Sequence, residues 1–199
     1  MVIAYHAIFT AYGFWLPNDP RGSWSDFVAA WELFKYGPAT TTDTRRSVAG
    51  AQHNQAFREQ AKEGSKYPPV TFNGLQARAV ARGFAHAIRR SSYVLHACAI
   101  LPDHVHMIVA RHEQRIEQVV QQFKGEATKQ LLSEAMHPLS VFVRGDDKPA
   151  TPWARKCWKV FLDREEDVLR AIRYVENNPT KEGLAIQPWK FIVPWKPVE

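Results

Sequence analysis

Three short stretches of the chain are apolar on nearly every position. Residues 3–12 (IAYHAIFTAY), 93–101 (YVLHACAIL) and 104–110 (HVHMIVA) are rich in β-branched and aromatic residues, and each is read as a strand. Pro102-Asp103 separates the second stretch from the third, so these two are expected to form an antiparallel hairpin. Between and after them the apolar positions recur at helical spacing. Residues 74–92 place Leu75, Ala79, Phe84 and Ile88 on one side, with Asn73 as the cap. Residues 113–135 do the same with Ile116, Val119, Val120, Phe123 and Leu131. Trp158–Leu162 is a fourth strand. Asp163 is expected to cap a last helix, from Arg164 to about Asn178, that Pro179 terminates.

Two regions break this rhythm. From Gly13 to about Asn73 the chain is dense in turn formers (Trp15-Leu16-Pro17-Asn18-Asp19-Pro20-Arg21-Gly22, then a small polar stretch at 39–50, then Pro68-Pro69). A short charged helix near 52–63 is the one regular element expected there. An excursion of this length is more than a plain connection requires. Residues 138–156, with three prolines and a Gly-Asp-Asp turn, read as a loop, and 189–195 as a tail that pairs as an edge strand or docks on the surface. The order strand, helix, strand, strand, helix, strand, helix predicts an α+β, ferredoxin-like split β-α-β arrangement: a largely antiparallel sheet with helices on one face. Residues 1–199 are read as one domain, with the excursion at about 13–73 and a C-terminal tail at about 185–199.

Composition narrows the class. Hydrophobic residues make up 45% and charged residues 23% of the 199 positions, the balance of a globular domain. The two cysteines, Cys98 and Cys157, form neither a disulfide framework nor a close metal pair, which suits a reducing cytoplasm. No stretch is apolar for long enough to span a bilayer, and the first residues carry no signal-peptide pattern. The expected location is therefore cytoplasmic, with no membrane partner. A formal net charge of +6 suits a polyanionic partner, a balance that many proteins without such a partner share.

Two elements hold the candidate chemistry. His104 and His106 stand two apart in a strand, so both imidazoles project from the same face and can share one metal ion, with Val105 turned to the other side. Tyr174 and Asn178 stand four apart on a helix and share its face. Each alone has a plain alternative: a chance His-x-His, a half-buried tyrosine, an ordinary helix stop. Taken together they suit phosphodiester cleavage. A phenol with an ordinary pKa near 10 is a poor nucleophile unless charge on the phosphate is neutralised. A metal held by two imidazoles and an amide keeps positions open for the phosphate oxygens.

The segment Leu101-Pro102-Asp103-His104-Val105-His106-Met107-Ile108-Val109, followed by Arg173-Tyr174-Val175-Glu176-Asn177-Asn178-Pro179, resembles the single-tyrosine HUH transposases of the IS200/IS605 type, in particular the REP-associated tyrosine transposases. The resemblance covers about 75–184. It implies Mg²⁺ or Mn²⁺ as cofactor, His104, His106 and Asn178 as its ligands, and Tyr174 as the nucleophile. The implied partner is single-stranded DNA carrying a hairpin, either REP-like or at an element end, and the implied product is a 5′-phosphotyrosine. The protein is then a monomer or a homodimer. Small IS200-type members carry Gln where this chain has Asn178, and their core lacks so long an excursion. DNA contacts are expected from Trp15, Arg21 and Trp24 in the excursion, Lys124 on the second helix, Lys156 and Trp158 before and in the last strand, and Arg170 and Arg173 on the nucleophile's helix. Two other readings remain at this point: a catalytically inactive hairpin-binding protein of the same fold, and a zinc hydrolase built on His-x-His, for which a third His or Cys ligand and a general base are not evident.

Overall fold

The structure, a computed structural model, describes residues 1–14, 16, 31–36 and 55–196. Trp15, Arg21 and Trp24 lie outside the described residues. The chain divides into two compact units: Met1–Phe9, Phe72–His137 and Cys157–Glu199 form one, and Thr10–Thr71 with Pro138–Lys156 the other.

The first unit contains the expected split arrangement. Strands β1 (Ala4–Thr10), β2 (Leu95–Ile100), β3 (His104–Ala110) and β4 (Trp158–Leu162) form a four-stranded sheet in the order β2-β3-β1-β4. Strand β2 pairs antiparallel with β3 and β1 antiparallel with β4, in the register His6 opposite Val160 and Ala99 opposite His106. Where β3 ends beside the start of β1, the Arg111 N–H donates to the Ile3 carbonyl at 3.0 Å.

Helices α2 (Gly74–Ser91) and α3 (Ile116–Ser133) cover one face of the sheet, joined to it through Phe9, Phe84 and Phe123, whose rings meet edge to face. Helix α2 starts where the sequence predicts: the Asn73 carboxamide accepts from the backbone N–H of Leu75 and Gln76, and the Gln76 side chain returns the bond. Its buried face is Ala79, Val80, Gly83, Phe84 and Ala87. Leu75, expected on that face, is 60% exposed, because it stands in the first turn, ahead of the stretch that meets α3. Gly83 is where the two helices come closest, since a Cβ there would lie 2.5 Å from Ala127 Cα.

Helix α4 (Glu165–Lys181) takes the opposite face. Val168, Ala171, Ile172 and Val175 bury against Ala4, Ala97, Ala99 and Ile108. Ala4 and Phe9 are five apart in β1, so strand alternation puts them on different faces. The expectation of helices on one face thus describes α2 and α3, and α4 adds a second layer. The sequence carries the sign of this: β2 is buried at all six positions and β1 at six of seven, as strands covered on both sides are. Helix α4 also runs past Pro179, which was expected to stop it. Pro179 sits in the last turn, where the missing N–H costs a single intrahelical bond, and the Glu182 and Leu184 N–H groups still close on the Asn178 and Pro179 carbonyls.

The tail docks along β2, the free edge of the sheet. Gln187 both accepts from the Ile100 N–H and donates to the Ile100 carbonyl, each at 2.8 Å, and the Val193 N–H donates to the Leu95 carbonyl at 2.8 Å. The expectation of an edge strand is met by a short bridge, Leu95 with Ile192, together with this side-chain mimic.

The second unit brings Tyr12 and Ala11 against Pro152 and Trp153, with the Tyr12, Tyr67 and Phe142 rings in edge contact. Leu16, Leu33, Tyr36 and Ala61 form a small apolar cluster between a 3-10 helix (Trp31–Tyr36) and α1 (Gln55–Glu63). Within the excursion, the described part is therefore more ordered than its turn-rich composition suggests. Among the described residues no helix is long and apolar enough to cross a membrane.

Candidate functional site

The face of the sheet under α4 is apolar except at one corner. There β1 contributes His6 and the neighbouring β3 contributes His104 and His106. The i, i+2 spacing turns both β3 imidazoles to the same side, and their rings lie 4.9 Å apart, centroid to centroid. His6 Nε2 and His106 Nδ1 are 2.9 Å apart, a hydrogen bond between two buried rings. His104 Nδ1 sits 2.7 Å from Asp103 Oδ1 at the hairpin turn. Each β3 histidine is therefore held through Nδ1.

Tyr174 reaches this corner from α4. Its ring centroid is 5.6 Å from that of His106 and 5.9 Å from that of His6, both edge-on, and the residue keeps 45% of its surface exposed. The Lys181 ammonium lies 5.1 Å from the Tyr174 ring centroid. One helical turn beyond Tyr174, Asn178 is buried, and its Nδ2 has no hydrogen-bond partner. The spacings in the sequence thus survive folding: two strand histidines, a helix tyrosine 68 positions further on, and an amide on the same helix face.

Burial pushes His6 down to about 4, and burial together with the neighbouring His6 and His104 holds His106 well below the usual histidine range. Both rings are neutral near pH 7, the form that ligates metals. Burial, and after it the Glu182 carboxylate, raises the Tyr174 phenol above its ordinary value.

Among the described residues no three His, Cys, Asp or Glu side chains gather into a ready metal-binding group. The donor set expected for a divalent ion is mixed. It comprises the Nε2 atoms of His104 and His106 and the Asn178 carboxamide, whose buried, unpaired end presents an oxygen once the amide is turned over about its last torsion. An unpaired amide in a buried position is costly unless something meets it.

The other expected site residues scatter. Arg173 is exposed on α4 beside Tyr174. Arg170 is exposed and paired with Asp167, which also holds Arg164. Trp158 is half-buried in β4 opposite Ile8, and Lys156, with a φ of 56°, is exposed in the loop before it. Lys124 is only 5% exposed, with its ammonium 5.2 Å from the Phe9 ring centroid, so it does not stand on an open helix surface. His6 is the residue that the sequence reading missed. The one signal was a lone imidazole inside an otherwise apolar strand.

A ferredoxin-like sheet that sets paired strand histidines against a helix tyrosine defines a class of single-tyrosine, His-x-His proteins. A family model described as "Transposase IS200 like" matches residues 63–178, more than half of the 199 positions, and the chain belongs to this family. Transposition and DNA recombination, with DNA binding, are the functions that fit it. The matched span starts after β1, so His6 comes from outside it. No curated protein matches. One similar solved structure is described as "Structure of the REP associates tyrosine transposase bound to a REP hairpin"; it is 11% identical, with a TM-score of 0.47, over 92% of this chain and 70% of that one.

Proposed function

We propose that the protein is a metal-dependent single-stranded DNA endonuclease and strand transferase, with Tyr174 as the nucleophile and hairpin-bearing DNA as the partner. The observation that carries this reading is the Tyr174 ring lying edge-on to His106 in a corner that also holds His104. His104 and His106 through Nε2, and Asn178 through its carboxamide oxygen, would hold Mg²⁺ or Mn²⁺. When bound, the ion would withdraw negative charge from the non-bridging oxygens of the scissile phosphate.

The chain's own residues do the rest. Tyr174 Oη forms a bond to phosphorus as the bond from phosphorus to O3′ breaks. The phenolic proton passes to solvent, which the half-exposed ring meets directly, and O3′ takes up a proton. One strand end becomes a 3′-OH and the other a 5′-phosphate esterified to Tyr174. Attack of a 3′-OH on that ester reverses the step and rejoins the strand. The raised phenol keeps its proton until the phosphate is in place, which limits idle ionisation. Arg170 and Arg173 on α4 would meet the DNA backbone, where most of the affinity arises.

The test is incubation with a single-stranded hairpin oligonucleotide and Mn²⁺, followed by a denaturing gel. A covalent adduct is expected, mapped by peptide mass to Tyr174, and absent from His104→Ala. Cleavage by His104→Ala at the wild-type rate would overturn the metal assignment, and an adduct on any other tyrosine would overturn the nucleophile. Tight hairpin binding with no adduct under any divalent ion would leave a binding protein of this fold.

A further inference from the structure

His6 stands outside the family match and outside both motifs, yet its ring meets those of both His106 and Tyr174. Two neutral imidazoles bonded Nε2 to Nδ1 share a single proton, and there are two ways to place it. If His6 Nε2 carries it, His106 accepts at Nδ1 and has its own proton on Nε2, where no metal can bind. If His106 Nδ1 carries it, His6 accepts, and His106 Nε2 is a bare lone pair turned away from β1. Only the second arrangement is compatible with His106 as a ligand. Asp103 Oδ1, an acceptor with no proton to give when ionised, already imposes the same tautomer on His104 at 2.7 Å.

We propose that His6 is a positioning residue for the metal site: by accepting from His106 Nδ1–H it fixes the tautomer and the ring angle that present His106 Nε2 as a ligand. This rests on the reading of His104 and His106 as metal ligands. Two features support it independently of that reading. The bond is buried, so water does not compete for either nitrogen. It also crosses from β1 to β3, so the two backbones, themselves neighbours in the sheet, hold both rings in register. Partners of this kind commonly change metal affinity by about 10- to 100-fold when removed.

The test measures metal, not cleavage. Mn²⁺ is titrated into wild-type, His6→Leu, His6→Gln and His104→Ala protein without DNA, and free Mn²⁺ is read by its paramagnetic resonance signal. Leu removes the acceptor, while Gln places a carboxamide oxygen near the position of Nε2. His6→Leu is expected to weaken Mn²⁺ binding by about 10- to 100-fold, with His6→Gln restoring most of it. In metal-free wild-type protein, the ¹⁵N shifts of His106 are expected to report the Nδ1–H tautomer. A merely structural His6 would lower thermal stability in both variants and leave the Mn²⁺ affinity unmoved. An unchanged affinity in His6→Leu, with a loss in His104→Ala, overturns this proposal alone. No loss in His104→Ala overturns the metal reading and this proposal with it. If His6→Leu fails to fold, the wild-type tautomer decides: an Nε2–H tautomer at His106 overturns the proposal, and Nδ1–H supports it.

Discussion

At the scale of single residues, Tyr174 and the buried Lys124 make opposite predictions. Tyr174 is half-exposed, and the ring that meets His6 and His106 is kept in phenylalanine. Tyr174→Phe should therefore change folding stability by less than about 0.5 kcal/mol while removing all covalent DNA adduct. Urea denaturation beside a denaturing gel checks both. Loss of adduct accompanied by a large loss of stability would mean that the phenol acts in the fold rather than in the reaction. Lys124 is a cost. Burial pushes its ammonium down to about 8 from an ordinary 10.5, with Cys157 nearby acting the other way. In the unfolded chain the amine holds its proton up to the higher value, so between about 8 and 10.5 the unfolded state binds more protons, and stability rises with pH across that window. Below it the penalty is present in full. Lys124→Met should stabilise the protein by about 1–3 kcal/mol at pH 7, the gain shrinking toward zero above the window. A gain that does not depend on pH would refute this account.

At the scale of elements, packing overrides propensity where α2 meets α3. Alanine is a better helix former than glycine by about 1 kcal/mol. At position 83 the added Cβ would press within 2.5 Å of Ala127 Cα and 2.7 Å of the Glu126 carbonyl oxygen, which are backbone atoms with no rotamer to yield. Gly83→Ala should thus destabilise by about 2 kcal/mol or more, the sign opposite to propensity, as measured by thermal or chemical unfolding. The edge of β2 gives a second case. Ile100 is 1% exposed, and its N–H and carbonyl are met by a single side chain, Gln187. Gln187→Ala should cost about 1–2 kcal/mol and speed hydrogen exchange at the Ile100 amide in particular. Unchanged exchange there would show that the tail does not guard the edge. These elements were partly legible in advance. Helical spacing marks α2 and α3, and Asn73 marks a helix start. The C-terminal end of α4 was not legible, because a proline in the last turn costs one bond that packing of Val175 and Pro179 offsets.

At the scale of the whole molecule, 26 basic against 20 acidic side chains leave a charge of +6, but many of the cations are paired within the chain. Hairpin DNA binding should weaken with salt in proportion to the few phosphates that are met. For three or four contacts the expected loss is about 10- to 100-fold between about 50 and about 200 mM salt. Affinity that is flat across that range would exclude backbone charge as its source.

The sequence by itself determined every relation that a local period can express. His104 and His106 share a strand face because side chains alternate, and Tyr174 and Asn178 share a helix face because a turn holds 3.6 residues. The apolar runs likewise identify the strands. Tertiary structure decided what no period can reach. That α4 takes the second face follows from strands apolar on both sides needing two covers. That His6 bonds His106 follows from β1 lying beside β3 in the sheet, across 100 positions of sequence. That Lys124 points into the core follows from where α3 settles on Phe9. Strand order and helix placement are set by the burial of the whole apolar surface at once, so the partners of one imidazole or one ammonium are decided only when the sheet has closed around them.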